Sequence, residues 1–283
     1  GFDSATPNLM GIQFKTWEVA FLAGYLAAGV TETGRVGTMG GMDIQAVTQY
    51  MDGFARGVEH YNRVHGTEVV ILGREPALGT GLFIDTFADA AAARKASEDL
   101  LDQGADVLFP ITGLLTTASA AAAQERERAY VSGADLDWGS AYPEYGDVLL
   151  YSAEVGYEEM LAEAIRRFVE GEFPGAVITG NLENGGVGLA PFHELESVVT
   201  AQLAAELAEL RQAAPSLSVA IASTLTPPPT ELAAAPPPTA TAMAAAPLPS
   251  PTAGPSWITD FAEPILMAIA GRPPDFQDEF DDG

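Results

Sequence analysis

Two aspartates, Asp135 and Asp137, stand two residues apart after an apolar run, and Trp138 follows them directly. In an extended segment, side chains two apart point to the same side. Such a pair can accept hydrogen bonds from hydroxyl groups, hold a cation, or do acid–base work. No third carboxylate lies at metal-site spacing, which argues against a calcium loop. Two carboxylates so close in sequence rarely flank a scissile bond from opposite sides, which argues against glycoside chemistry. Trp138 is either a wall of a pocket or a half-buried anchor.

Three other places carry chemistry. Gly40-Gly41-Met42-Asp43 puts bare backbone, a thioether and a carboxylate where a short apolar run ends. In open α/β sheets the carboxyl ends of strands are where ligands bind. Asp43 is equally suited to capping the helix that follows it. Phe87 lies between an extended run and a helix, so its ring either stacks on a ligand or staples that helix; Asp89 fits the helix N-cap. Gly113 closes the run Asp106 to Ile111, where backbone can approach a sugar closely. The three histidines, His60, His65 and His193, show no metal-ligand spacing, and there is no cysteine. A G-x-S-x-G elbow and a phosphate-binding glycine loop are both absent from the sequence.

The elements that must position these residues are legible as period. Residues 8–14 read as a strand, Thr16 to Gly29 as an alanine- and leucine-rich helix, and Arg35 to Gly40 as a buried strand. Gln45 to Tyr61 repeats Val47, Met51, Phe54, Val58 and Tyr61 at helical spacing. Glu68 to Leu72 is a strand. Ala88 to Gln103 is a helix closed by Gly104. Asp106 to Ile111 is nearly all apolar, as a parallel strand covered on both faces should be. Helix over Thr116 to Ala129, strand over Tyr130 to Ala134 and strand over Asp147 to Ser152 follow. Tyr157 to Glu170 is a helix with Leu161, Ala164, Ile165 and Phe168 on one face. Two strand-like pieces around a glycine-rich turn fill Val177 to Leu189, and Glu194 to Gln212 reads as one helix. Alternating strands and helices predict a parallel α/β sheet.

The chain has 283 residues, 47% of them hydrophobic, enough for a sizeable core. Its formal charge of −26, from 13 basic and 39 acidic residues, argues against nucleic acid and against an anionic membrane surface. No run approaches the ~20 apolar residues of a membrane span. At Pro215 the composition turns to Pro, Ala and Thr, which predicts a disordered or extended linker over 215–256. Residues 257–283 read as a short helix, Trp257 to Ala270, and an acidic end, either solvated or the opening of another domain. Residues 1–214 form the folded region.

Several stretches in order resemble the basic membrane protein family of ABC-transporter substrate-binding lipoproteins, which includes purine nucleoside receptors. They are Phe21 to Ala28 (FLAGYLAA), the T-x-T-G-R-V-G turn from Thr31 to Gly37, the Gly40 to Asp43 corner, and Phe54, Gly57 and Tyr61. Further on come Thr86-Phe87-Ala88-Asp89, Asp102 to Asp106, Gly133 to Asp137, and Glu183 to Leu189. Together they span roughly residues 8 to 212.

The resemblance implies a type I periplasmic-binding-protein-like fold: parallel Rossmann-like sheets in two lobes, one of them incomplete here. It implies a secretion signal, a lipidated cysteine and the first part of one lobe ahead of Gly1. It further implies an extracytoplasmic, membrane-anchored monomer that passes a nucleoside-like ligand to a permease, with no cofactor and no chemistry. On the site, it implies Phe87 as the base platform and Asp135 as acceptor for the ribose hydroxyls. Met42, Asp43, Gly113, Asp137 and Trp138 complete the candidate set.

The chain departs from the family in two ways. Thr112 to Thr117 is bulkier than the family's glycine-rich run. Ala153-Glu154-Val155-Gly156 lacks the family's lysine for the ribose, a loss worth about 1.5 to 3 kcal/mol, or roughly 10- to 150-fold in affinity. A sensory or surface receptor of the same fold for a sugar or other small solute, and a nucleoside-processing enzyme, are the alternatives.

Overall fold

The computed structural model describes residues 9–171 and 177–213. Both the predicted linker over 215–256 and the segment 257–283 lie outside the described residues.

The main sheet has six strands: β2 (Arg35–Gly40), β3 (Val70–Leu72), β6 (Val107–Ile111), β7 (Tyr130–Asp135), β8 (Leu149–Val155) and β10 (Val187–Leu189). Their order is β10-β8-β7-β6-β2-β3, parallel except for β10 at one edge. The chain starts in the interior at β2, winds outward to β3, then reverses to β6, β7 and β8. The winding therefore reverses between β2 and β6, and a crevice opens at the carboxyl ends of those two strands. A second sheet has two parallel strands, β1 (Gly11–Phe14) and β9 (Val177–Gly180). A short hairpin, β4 (Arg74–Glu75) and β5 (Thr80–Gly81), has no counterpart in the sequence reading; strands of two residues leave no periodic signal.

Helices cover both faces of the main sheet, the three-layer arrangement that a parallel sheet requires. On one face, α1 (Thr16–Val30), α2 (Gln45–His65) and α7 (Ala201–Gln212) enclose a core with Phe54, Phe109 and Tyr151. On the other, α3 (Ala90–Asp102) and α4 (Thr116–Gln124) cover Leu100, Leu108 and Val131. Helices α1 and α2 touch backbone to backbone. A Cβ on Gly24 would sit 1.9 Å from the Phe54 carbonyl oxygen, and one on Gly57 would sit 2.0 Å from that of Phe21. The F-x-x-G-x-x-x-Y spacing therefore encodes a helix–helix contact.

The T-x-T-G-R turn has a similar local cause. Asp106, just ahead of β6, accepts from the Thr31 hydroxyl at 2.5 Å and from the Glu32 and Thr33 amides at 2.7 and 2.9 Å.

Two helices differ from expectation. α4 stops at Gln124, five residues early, and the chain turns through Arg128 at φ 55° to enter β7. The segment Glu194 to Gln212 is two elements: a 3-10 turn over His193–Val198, then α7. Thr200 breaks it, capping α7 by accepting from the Leu203 amide at 3.2 Å. The helix α6 (Tyr157–Val169) forms as its period predicts, but Leu161, Ile165 and Phe168 are exposed.

Candidate functional site

At the reversal of the winding, β2 ends on Gly40 and Gly41, and the strand edge is extended by a crossing segment. The amides of Ile84 and Thr86 donate to the carbonyls of Gly40 and Gly41 at 3.0 and 2.8 Å, while the Gly41 amide donates to Ile111 on the other side. This pairing carries Phe87 across the crevice. Its ring fills the place of a side chain on Gly41, where a Cβ would lie 2.2 Å from the ring edge, and passes 3.8 Å from the Cβ position of Gly113. Gly113 itself has φ 58°, in the region that favours glycine. Phe87, Gly41 and Gly113 are thus brought together, and the ring is 43% exposed. Asp89 caps α3, accepting from the Ala91 and Ala92 amides at 2.9 and 3.0 Å.

Asp43 does not cap α2. The N-cap is Ile44, without a side-chain bond, and the Asp43 carboxylate is exposed and has no hydrogen-bond partner among the described residues. Met42 beside it is exposed as well.

Asp135 and Asp137 have separate hydrogen-bond partners. Asp135 ends β7 at φ 75°, in the left-handed region uncommon for a residue other than glycine. Its Oδ1 accepts from the Tyr50 hydroxyl at 2.9 Å. Burial pushes the Asp135 carboxyl up, and the Tyr50 bond opposes that shift. Asp137 instead caps the short helix α5 (Trp138–Ala141). It accepts from the Ser140 hydroxyl at 2.7 Å and is paired with His193 at 2.8 and 3.0 Å. Burial raises its carboxyl, but the bonds from Ser140 and His193 outweigh that and hold it below the usual range.

Trp138 is the anchor of its two alternatives. It is 1% exposed, its indole N–H donates to the Ala134 carbonyl at 2.9 Å, and its ring lies where a Gly133 side chain would be.

Three residues at this edge were not among the candidates drawn from the sequence. Tyr50 sits three residues after Val47 and four before Phe54, on the buried stripe of α2, where its hydroxyl had no visible purpose. Tyr157, at the start of α6, is pushed up by burial and by Asp135; its ring meets Phe14 of β1 edge-on at 5.3 Å. Glu154 lies opposite Asp135 in the β7–β8 register. Burial, then Asp137 and two further glutamates, push its carboxyl up. A glutamate therefore stands in the stretch where the resemblance implied a lysine.

Among the described residues there is no cluster of metal-ligating side chains. A cavity of about 640 Å³ lies away from the crevice, between α1, β10 and α7, lined by Leu22, Leu189 and Leu207. Its lining includes none of the candidate residues.

A doubly wound parallel sheet with its aromatic and acidic edge at the reversal of the winding has the architecture of type I periplasmic solute-binding proteins. A solute-binding protein of an ABC transporter system from Aeropyrum pernix superposes with a TM-score of 0.57, over 79% of this chain and 66% of that one, at 24% identity. A transcriptional activator of the comK gene from Bacillus halodurans gives a TM-score of 0.61, over 73% and 65%, at 19% identity. These likenesses establish the fold.

The sequence model of the PnrA-like ABC transporter substrate-binding proteins, the Bmp family, matches residues 1–221, and the chain belongs to that family. An uncharacterised lipoprotein of Pyrococcus horikoshii is 28% identical over 76% of this chain and 52% of its own length. The nucleoside-binding protein BmpA of a Lactococcus lactis ABC transporter is 26% identical over 64% of this chain and 52% of its own. The chain spans about half the length of the curated relatives it matches. Among the described residues no helix is long and apolar enough to cross a membrane.

Proposed function

We propose that the full-length protein is an extracytoplasmic receptor that closes on a nucleoside-like solute and delivers it to an ABC-transporter permease. The observation that carries this reading is the Phe87 ring laid over Gly41 and Gly113, with the Asp135 carboxylate at the end of the next strand, β7. A base needs an aromatic face, and ribose hydroxyls need an acceptor. Strands lie about 4.8 Å apart, so β2 and β7 are roughly 10 Å apart, a span suited to a base over one end and its ribose at the other. Family membership and the name of the Lactococcus lactis relative support the same ligand class.

In this reading the protein is a monomer that binds its solute without turnover, as membership of a substrate-binding family supports. Anchoring would be through a lipidated amino terminus, a reading supported by the relatives named as lipoproteins. Lobe closure of the hinge type would enclose the solute.

Thermal-shift measurements on the full-length gene product, against nucleosides, free bases and sugars, test the proposal. Ligand that binds only the folded state raises the melting temperature by mass action. A shift with inosine, guanosine or adenosine, lost in Asp135→Ala and weakened in Phe87→Ala, is expected. A shift with a sugar and none with nucleosides overturns the ligand class.

A further inference from the structure

We propose that Tyr50 is a positioning residue for the solute: its hydroxyl pins one oxygen of Asp135 so that the other is presented to a hydroxyl group of the ligand. This rests on reading the strand edge as the solute site.

The Tyr50 ring is locked. It is 3% exposed and packs edge-on against Phe109, itself fully buried, with centroids 6.1 Å apart. Its hydroxyl reaches across from α2 to Oδ1 of Asp135 at 2.9 Å, while Oδ2 accepts no hydrogen bond among the described residues. A free aspartate would have to be ordered when the ligand arrives; one held by a locked donor is already placed, and binding is tighter for it.

The titratable groups facing Asp135 are Tyr50 from α2, Tyr157 from α6 and Glu154, its register partner on β8. The Tyr50 phenol donates without neutralising the carboxylate, and Glu154 adds a second carboxyl group to the edge. The edge therefore suits a ligand rich in hydroxyl donors and disfavours an anionic one.

The test compares the native full-length protein with Tyr50→Phe by calorimetry against adenosine, 2′-deoxyadenosine and 3′-deoxyadenosine. The expected result is a loss of about 10- to 100-fold in adenosine affinity and collapse of the preference for adenosine over its deoxy analogues. Loss of the donor disfavours the charged carboxylate, so the fall in affinity on acidification moves to higher pH. Native affinity and native preference in Tyr50→Phe overturn the proposal.

A carboxyl NMR titration of Asp135 in the ligand-free protein needs no ligand. Its midpoint rises in Tyr50→Phe if the anchor operates, and an unmoved midpoint overturns it. Should Tyr50→Phe fail to fold, 3-fluorotyrosine at position 50, a stronger donor, must lower that midpoint; an unmoved midpoint again overturns the anchor. If the native protein binds no nucleoside, the nucleoside reading falls, and the titration alone decides Tyr50.

Discussion

Helices α2 and α6 carry the same kind of apolar stripe and meet opposite fates. In α2, Met51, Phe54 and Val58 are 0% exposed, sealed by α1 and the main sheet. In α6, Leu161, Ile165 and Phe168 are 55%, 56% and 62% exposed, beside a sheet of only two strands. Helical period reports which face of a helix is apolar; it is silent about what covers that face. Parallel sheets normally have both faces covered, and two strands alone make a marginal sheet. The two regions meet at Asp135, which faces buried Tyr50 of α2 and exposed Tyr157 of α6.

The sharpest test of that contrast is Phe54→Ala. It empties the core between α1, α2 and Phe109 and should cost about 3–5 kcal/mol in urea unfolding. Gly57→Ala comes next. Its new methyl would sit 2.0 Å from the Phe21 carbonyl oxygen and force the helices apart, at about 1–3 kcal/mol. Leu161→Ser and Ile165→Ser on α6 should each change the stability of this chain by no more than about 0.5 kcal/mol, while raising its solubility. A loss of several kcal/mol in either would show that the α6 face is covered in solution and would break the comparison.

The smallest effects concern the two aspartates at the meeting point, and they have opposite signs. Asp137 is held below the usual carboxylate range. Its stabilisation is present above the ordinary carboxylate pKa and is lost as pH falls through its lowered folded value. Removing it as Asp137→Asn should flatten the acid loss of stability and cost under about 1 kcal/mol at neutral pH. Asp135 is raised by burial. Its contribution is fully present below the ordinary carboxylate pKa and is lost as pH rises through the raised one. Asp135→Asn should therefore remove a gain on acidification. Urea midpoints measured from neutral to acidic pH distinguish the two, and slopes of the same sign would contradict the placement of both residues.

Part of the candidate site was legible in the residues. Gly113 was placed just past a strand end by its neighbours, and Asp89 was recognisable as a cap from its position before an alanine run; the segment ahead of Phe87, read as a strand, makes only an isolated bridge at Phe83. Tyr50 was not, because a tyrosine on an apolar stripe looks like core until its hydroxyl has a partner 85 residues away. Spacing of two suggested a shared side for Asp135 and Asp137 but could not show their separate partners, Tyr50 for one and Ser140 with His193 for the other.

By itself the sequence determined the order and type of the main elements, the Gly-Gly corner and the resemblance to a family, all of which rest on neighbours along the chain. The tertiary structure alone decided the strand order, and with it the crevice between β2 and β6. It also decided the separate partners of Asp135 and Asp137, and which of two similar apolar stripes is buried. The physical reason is range: period, caps and turns act over a few residues, whereas strand order, burial and the partner of a carboxylate depend on contacts between segments tens of residues apart.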